Sequence, residues 1–561
     1  MGRSEKNQSR PEQTKRDKQM GSSDKLRLIQ VLVILLCSLD ARGDPLYQGK
    51  WELLLENAGV SAMHMMVLHT NKVLIFDQTF AGPSQIRRTD PPCNSRSPPA
   101  SQDCWAHSVE YDIASNQVRP LHVVTDTWCS SGAFTSNGML VQLGGSHDGE
   151  NITRYFTPCY HSACSWVEST VHLAAPRWYA SSQILPDDRV MVVGGRSQFN
   201  YEFIPKRANG EGVFSLPFLA QTTDIEENNL YPFLHLSSDG NLFIFAHRDS
   251  ILLDYKNYRV LKNFPTMPGG GSRNYPSTGS SVMLPLSAAD NFHRVEIIIC
   301  GGAPKGTFRA AMAKNFRVVF KSCGRLVITS PNPVWQMENM PGRRILSDML
   351  ILPTGDIILI NGAQLGSAGY QCARSPVLSP FLYKPAEPVG KRFTVLAPAR
   401  IPRMYHSTAS VLPDGRVLVA GSNPNYGYHF SDVPFSTELR VEAYIPYYLD
   451  PYYDSKRPTI HSISERTIRF GSNFTVGFSL PVQPKSSAFR FHAYAPPFTT
   501  HSFSMNQRML SLRAAISVSR YSYSATLTAP PSPVAAPSGY YMLSVVNGDV
   551  PSKAEWIRFV N

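Results

Sequence analysis

The sequence predicts an all-β protein, and three observations lead to that prediction. A short apolar strand that ends in small or glycine residues recurs seven times, from NKVLIFD at Asn71 to GRVLVAGS at Gly415. The successive spacings of these strands are 66, 51, 52, 54, 61 and 60 residues. No long amphipathic helical pattern interrupts them. A period near ~50 residues, built from short strands and glycine turns, is typical of a kelch-type β-propeller. We therefore predict a seven-bladed kelch-type propeller over residues 44–438.

The remaining residues, 439–561, carry no copy of the repeat and need a core of their own. Alternating runs such as NFTVGFSL, AFRFHAYA and YYMLSVVNG are separated by turns rich in proline and serine. Short strands with this alternation and spacing are typical of a sandwich of two antiparallel sheets. We predict a C-terminal immunoglobulin-like β-sandwich.

The N-terminus, residues 1–43, has the features of a signal peptide with a long charged leading region. Its apolar core, Leu28–Leu39, is too short to span a bilayer as a helix. An uncleaved membrane anchor is the alternative. Two glycosylation sequons, at Asn151 and Asn473, agree with secretion. The expected location is extracellular, or in a cell wall.

The charge of the chain limits its partners. The formal net charge is +12, and residues 1–43 contain nine basic and five acidic residues, so the remaining chain keeps a charge of +8. Such a surface favours association with an acidic wall polysaccharide. No basic run interleaved with aromatic residues follows residue 43, which argues against nucleic-acid binding. We expect a monomer without a membrane partner after removal of the signal.

The cysteine pattern predicts disulfides but leaves one thiol over. Close spacing favours Cys93–Cys104 and Cys159–Cys164, and Cys323–Cys372 is a further possibility. Cys300 lies in the apolar run EIIICGG and is expected to be a buried strand thiol. Cys129 has no evident partner.

Several chemically distinctive residues occupy one position of the repeat. The residues sixteen places before the end of a repeat, at Gly145, Gly195, His247 and Gly421, are respectively Cys129, Tyr179, Tyr231 and Tyr405. This position opens the inner strand of a blade, so these side chains should meet at one mouth of the axial channel. With the adjacent His406, imidazole and phenolate ligands favour Cu(II). The alternative is that aromatic rings simply plug the channel.

Four segments resemble one known family. DTWCSSG, RWYASS, RMYHSTASVLPDGRV and PPFTTHSFSMNQR, in this order, resemble the radical copper oxidases, galactose oxidase and glyoxal oxidase. The resemblance covers residues 47–561 and is greatest to the plant glyoxal oxidase-like aldehyde oxidases.

The resemblance implies a set of site residues. Cys129 would form a thioether with the Tyr179 ring, a self-processed cofactor in which Tyr179 becomes a stable radical. One copper ion would be bound by Tyr179, Tyr405, His406 and His501, with Tyr405 as the proton acceptor. A tryptophan that covers the thioether in galactose oxidase has no counterpart in GGRSQFNYEF, where Arg196 and Ser197 follow the glycine pair. This difference favours the glyoxal oxidase branch.

The function implied is a secreted oxidase that converts small aldehydes to carboxylic acids and reduces O2 to hydrogen peroxide. Two alternatives stay open from the sequence. One is a primary-alcohol or galactose-type oxidase with the same chemistry, and the other is a catalytically silent kelch-type protein that binds wall carbohydrate. No paired-carboxylate or Ser-His-Asp motif supports hydrolase chemistry.

Overall fold

A computed structural model describes residues 1–2, 47–91, 93, 103–161, 163–208, 210–482, 489–519 and 522–561. Residues 3–43 of the predicted signal peptide lie outside these residues. Within the part of the chain that the structure describes, no helix is both long and apolar enough to cross a membrane. The described chain is built almost entirely of β-strands, as predicted, and residues 48–561 form one unit.

Seven antiparallel sheets cover most of the described chain; six have four strands, and sheet 1 has four strands plus the two of a hairpin described below. The strands of each sheet are given in the order in which they lie side by side. Sheet 1 contains His64–Val67, Lys72–Phe76, Ser108–Asp112 and Gln117–Leu121. Sheet 2 contains Ser131–Phe134, Leu140–Leu143, Thr153–Phe156 and Trp166–Glu168. Sheet 3 contains Ser181–Ile184, Val190–Val193, Asn200–Ile204 and Phe214–Ser215. Sheet 4 contains Phe233–Leu236, Leu242–Ala246, Asp249–Asp254 and Arg259–Asn263.

The other three sheets follow the same order. Sheet 5 contains Ser280–Met283, Glu296–Cys300, Ser322–Val327 and Gln336–Asn339. Sheet 6 contains Asp348–Ile351, Ile357–Ile360, Phe381–Tyr383 and Phe393–Val395. Sheet 7 contains Ser407–Val411, Val417–Gly421, Val441–Ile445 and, from the start of the described chain, Lys50–Leu55. The pairing of Lys50–Leu55 with Val441–Ile445 joins the two ends of this series of sheets.

The C-terminal residues form two further sheets. Sheet 8 contains Leu286–Ser287, Arg508–Ser511, Phe489–Ala495, Gly539–Asn547, Glu555–Val560 and Thr467–Arg469, with Val550–Pro551 paired to Gly539–Asn547. Sheet 9 contains Thr459–Ile463, Asn473–Ser479, Ser522–Thr528 and Arg513–Ser519. Aromatic rings join the two sheets, because Phe478 of sheet 9 lies 5.9 Å from Phe491 of sheet 8. Buried aromatic contacts of this kind supply much of the core of a sandwich.

The remaining elements are short. Two-stranded ladders pair Gly271–Ser272 with Ala303–Pro304 and Ala363–Gly366 with Ala373–Pro376. The α-helices in the described residues are Pro217–Thr222 and Thr307–Met312. The 3-10 helices are Thr79–Ala81, His147–Gly149, Ala288–Asp290, Tyr447–Leu449 and Pro451–Lys456.

A hairpin from the C-terminal residues lies among the first strands of the seven sheets. Its strands, Phe498–Thr500 and Phe503–Met505, continue sheet 1 through the pairing of Thr500 with His64. The hairpin also lies next to the first strands of sheets 2 to 7. These first strands are almost wholly buried. The seven sheets therefore surround a common axis that the hairpin occupies.

The cysteine pairing in the structure differs from two of our expectations. Cys93–Cys104 and Cys159–Cys164 are disulfides, as predicted. Cys323 bonds Cys300, not Cys372, so the predicted buried strand thiol at Cys300 was also wrong. The reason is strand register, because Cys300 and Cys323 face each other on adjacent strands of sheet 5. Cys129 and Cys372 are buried free thiols.

The carboxyl group of Asp348, at the start of sheet 6, is expected to make stability depend on pH. Burial raises the pKa of Asp348 to about 7, and its Oδ1 has no hydrogen-bond partner. Folding therefore disfavours the ionised form of Asp348. The resulting loss of folding stability is absent below about pH 4, where the carboxyl group is protonated, and complete above about pH 7. Asp348→Asn should raise the free energy of unfolding at pH 8 and change it little at pH 4. One pKa unit corresponds to about 1.4 kcal/mol, so the gain is a few kcal/mol at most.

Urea unfolding at the two pH values measures this effect. Asp239→Asn, in an exposed turn, is the matched control and should show the same change at both pH values. An equal effect of Asp348→Asn at pH 4 and pH 8 would contradict the explanation.

Candidate metal centre

Cys129, Tyr179, Tyr231 and Tyr405 each stand two residues before the first strand of a sheet. Those strands begin at Ser131, Ser181, Phe233 and Ser407. Main-chain hydrogen bonds link consecutive positions, from Tyr179 N to Cys129 O and from Tyr231 N to Tyr179 O, both 3.0 Å. The repeated geometry therefore places these side chains at the same end of the axis.

The backbone at this end adopts an uncommon conformation. The φ angles of Cys129, Tyr179 and Tyr231 are 56°, 65° and 48°, and those of His406 and His501 are 60° and 45°. Residues other than glycine rarely occupy this left-handed region, and such strain is found most often at functional sites. The surrounding contacts must therefore hold these residues in place.

Buried arginines hold the loops that carry Tyr179 and Tyr405. Arg177 donates 2.8 Å to Gly194 O and pairs with Glu202 at 2.7 Å. Arg403 donates 2.8 Å to Gly421 O and pairs with Glu442 at 2.8 Å. The acceptor glycine is the end of the neighbouring strand in both cases. Each arginine thus fixes a site tyrosine two residues further along the chain.

The ring orientation of His501 follows from its hydrogen bonds. Thr500 Oγ1 donates to Met63 O at 3.0 Å, so it must accept the bond from His501 Nδ1 at 2.7 Å. Nδ1 therefore carries the proton, and the Nε2 lone pair accepts from the Cys129 thiol at 3.1 Å. A histidine whose second nitrogen is held in this way is typical of a metal ligand.

A further tyrosine, Tyr275, connects the phenols of the predicted site residues Tyr179 and Tyr405. The Tyr275 hydroxyl lies 3.2 Å from the Tyr179 hydroxyl and 2.9 Å from the Tyr405 hydroxyl. Its ring also stacks on the Tyr179 ring at 4.5 Å and 30°. The Tyr405 ring stacks on His406 at 3.8 Å, and His406 meets His501 edge-on at 4.9 Å.

Burial controls the charge of every titratable group in this cluster. It lowers the pKa of His406 and His501 well below the usual histidine range, and each is further lowered by a neighbouring histidine. Both imidazoles are therefore neutral. Burial also raises the pKa of Cys129, Tyr179 and Tyr405 well above their usual values. The protein alone thus favours protonated phenols, and a nearby cation would favour their ionised forms.

The donor set fits a metal ion. Both ring nitrogens of buried His406 lack a hydrogen-bond partner, although buried polar atoms are normally paired. The Cys129 sulfur and ring nitrogens of His406 and His501 lie within 4.8 Å of one another. Two neutral imidazoles beside two phenols are ligands that suit Cu(II) better than Mg²⁺ or Ca²⁺. No other group of three such residues that could hold a metal is found in the described chain.

Two residues near Tyr179 were missed from the sequence. Trp178 stacks on the Tyr179 ring at 4.7 Å and 29°, although the stretch after Gly195 contains no tryptophan. Tyr275 was missed because it stands five residues before the first strand of sheet 5, not two, and because a long loop separates the first two strands of that sheet. A motif could have revealed it, since Arg273-Asn-Tyr275 repeats the Arg-x-Tyr pattern of Arg177 and Arg403. Arg273 likewise donates to a strand-end glycine, Gly301.

The two predicted glycosylation asparagines lie away from this cluster. Asn473 is exposed at the start of its strand in sheet 9, and its Oδ1 accepts from Thr528 Oγ1 at 3.0 Å. Asn151 is half-buried, and its amide donates to Leu173 O at 3.2 Å. Their glycosylation stays a prediction.

Comparison with known proteins places the chain in a family. The family described as glyoxal oxidase N-terminus matches residues 63–448, and the galactose oxidase-like early set domain matches residues 457–559. These matches define a two-part oxidase-type architecture. The chain belongs to the glyoxal oxidase family.

Individual relatives agree with this assignment. Aldehyde oxidase GLOX of Vitis pseudoreticulata is 45% identical over 520 residues, which is 91% of this chain and 97% of the relative. Aldehyde oxidase GLOX1 of Arabidopsis thaliana is 45% identical, covering 92% of this chain and 85% of the relative. A fungal alcohol oxidase solved in complex with copper has the same fold, with a TM-score of 0.69 at 20% identity, covering 92% of this chain and 100% of that chain.

Loss of the carboxylate that faces Arg403 should destabilise the site loop. Glu442→Gln leaves the buried Arg403 guanidinium without its counter-charge, which typically costs about 3 kcal/mol or more. The matched control is Glu555→Gln, in an exposed ion pair with Arg466, whose side chain is 58% exposed. An exposed pair contributes about 1 kcal/mol or less. Denaturant unfolding of both variants tests this, and equal losses would show that Arg403 does not depend on Glu442.

Proposed function

We propose that this protein is a copper-radical oxidase that converts aldehydes to carboxylic acids and reduces O2 to hydrogen peroxide. The observation that carries the proposal is the convergence of two buried, neutral imidazoles, two phenols and a free thiol at one end of the axis. Family membership and relatives named aldehyde oxidases support the same activity. A carbohydrate-binding protein would have no need of this donor set.

The proposed copper ligands are Tyr179, Tyr405, His406 and His501. His501 would bind through Nε2, because Nδ1 is engaged by Thr500. His406 offers two unpartnered nitrogens, either of which is available. Bound copper would supply a one-electron redox centre and a site for the substrate oxygen. Cys129, joined to Tyr179 by a thioether, would complete the self-processed cofactor.

Different residues of the chain would carry out the proton transfer and the hydrogen-atom transfer of the oxidation. Tyr405, held as a phenolate by the nearby cation, would accept the hydroxyl proton of the hydrated aldehyde, because its phenol lies in the cluster beside His406. Tyr179, as a radical, would take the hydrogen atom from the substrate carbon, and the sulfur of Cys129 would share the unpaired electron. Trp178 and Tyr275 cover the Tyr179 ring and restrict access of water. Overall the hydrated aldehyde loses two electrons and two protons, and O2 gains both pairs as hydrogen peroxide.

The proposed architecture is a seven-bladed kelch-type propeller followed by an immunoglobulin-like sandwich. The seven sheets around one hairpin support the first part, and the packing of sheets 8 and 9 supports the second. The boundary predicted at 438/439 is close to the gap between the two family matches at 448 and 457. The strand Val441–Ile445 of sheet 7 favours a boundary slightly after it.

We also propose that the protein is secreted and works as a monomer at an acidic cell wall. The apolar segment at Leu28–Leu39 and the positive charge of the remaining chain support this location. Peroxide released there would be produced outside the cell.

Peroxide release tests the proposed function directly. Copper-loaded protein should release hydrogen peroxide with methylglyoxal, and much less with galactose or a simple primary alcohol. A preference for the alcohols would favour the alcohol oxidase alternative. No peroxide with any of these substrates would leave a binding protein as the better interpretation.

Replacement of the proposed cross-link thiol should abolish turnover without unfolding the protein. Cys129→Ser removes the sulfur that would share the radical, so we expect at least a hundredfold loss of peroxide release. Cys372→Ser is the matched control, because Cys372 is the other buried free thiol. The control should keep most of its activity. Full activity of Cys129→Ser would contradict the proposed mechanism.

A further inference from the structure

Three Arg-x-Tyr motifs place three phenols close together, and the hydroxyl of one of them, Tyr275, has no role in the mechanism so far. The motifs are Arg177-Trp-Tyr179, Arg273-Asn-Tyr275 and Arg403-Met-Tyr405. In each, the arginine donates to the carbonyl of a strand-end glycine. The position of Tyr275 is therefore set by the same device that positions the two proposed tyrosine ligands.

The Tyr275 side chain can form hydrogen bonds with Tyr179 and Tyr405 at the same time. It is 8% exposed, and its hydroxyl lies within hydrogen-bond distance of both Tyr179 and Tyr405. A hydroxyl carries one proton, so the Tyr275 oxygen can donate to one phenol and accept from the other. The Tyr275 hydroxyl therefore forms a bridge between the phenol oxygens of Tyr179 and Tyr405, and this bridge fixes the distance between them. It also links the protonation of Tyr405 to the hydrogen bond that Tyr179 receives.

We propose that Tyr275 is a positioning residue that sets the reduction potential of Tyr179 and aligns Tyr405 for proton transfer. The proposal rests on the proposed function. A phenolate oxygen accepts a stronger hydrogen bond than a neutral phenoxyl radical does, because charge assists the bond. With Tyr405 as the donor to Tyr275, the Tyr275 hydroxyl donates to Tyr179 and so stabilises the reduced form of Tyr179 relative to its radical. Loss of one electron from Tyr179 to a one-electron oxidant becomes harder, and the radical becomes a stronger oxidant of substrate.

The Tyr275 ring contributes separately from its hydroxyl. It stacks on Tyr179 at 4.5 Å, and it meets His501 edge-on at 5.7 Å. Phenylalanine has the same ring without the hydroxyl. Tyr275→Phe therefore removes the hydroxyl bridge and keeps the ring packing. The variant distinguishes the effect of the hydrogen bonds from the effect of the ring contacts.

The test is a redox titration of copper-loaded Tyr275→Phe with ferricyanide, in which the Tyr179 radical is followed by its absorption. We expect the midpoint potential to fall below that of the unmodified protein. Loss of a hydrogen bond to a charged group should lower kcat by about tenfold, with little change in KM. Tyr370→Phe is the matched control, because its hydroxyl donates to Gln78 instead of to a phenol of the site, at 2.8 Å. Its midpoint potential should stay unchanged.

The outcomes distinguish this proposal from the proposed function. If the unmodified protein forms a radical and Tyr275→Phe has the same midpoint potential, the role of Tyr275 is overturned and the oxidase stands. Loss of copper from Tyr275→Phe would also overturn it, because the proposal gives Tyr275 no bond to the metal. If the unmodified protein forms no radical after copper and oxidant, the proposed function fails, and this inference fails with it.

Discussion

Insertion of the hairpin Phe498–Met505 among the first strands of seven sheets is the interaction on which the site depends. Its turn carries His501, and the pairing of Thr500 with His64 fixes the depth of that turn. Thr500 also orients the imidazole, so one short segment supplies a proposed ligand and fixes its orientation. The two parts of the chain must therefore stay docked for the site to exist. The same hairpin fills the axis with apolar side chains such as Phe498, Phe503 and Met505, which are all buried.

Strain and charge compensation explain why this end of the axis differs from ordinary core. Left-handed φ angles at Cys129, Tyr179 and His501 would each cost free energy in a flexible loop. Buried arginines restrict the loops of Tyr179, Tyr275 and Tyr405, and carboxylates offset the charge of two of these arginines. Unpartnered nitrogens on His406 are a further cost that a bound cation would remove. The protein thus uses stability from its sheets to hold reactive groups in place.

The sequence predicted the site best where the repeat is regular. Cys129, Tyr179 and Tyr405 share one offset because the hairpins that follow them have short loops. Tyr275 was not predicted because it stands further from its strand and the loop in sheet 5 is long. The Cys300–Cys323 bond was not predicted because the spacing of cysteines does not reveal strand register. Stacking of Trp178 on Tyr179 could not be inferred either, since a residue's neighbours along the chain do not fix its ring orientation. The all-β class followed directly from the recurring strands.

The central claim is that Cys129 and Tyr179 form one cofactor, and peptide mass spectrometry tests it most directly. Protein loaded with copper in air is digested, and the peptides that contain Cys129 and Tyr179 are examined under reducing conditions. We predict one linked species that resists reduction and is lighter than the two peptides together by two hydrogen atoms. Recovery of Cys129 as a free thiol, or in a reducible disulfide, after copper and oxygen would contradict the claim.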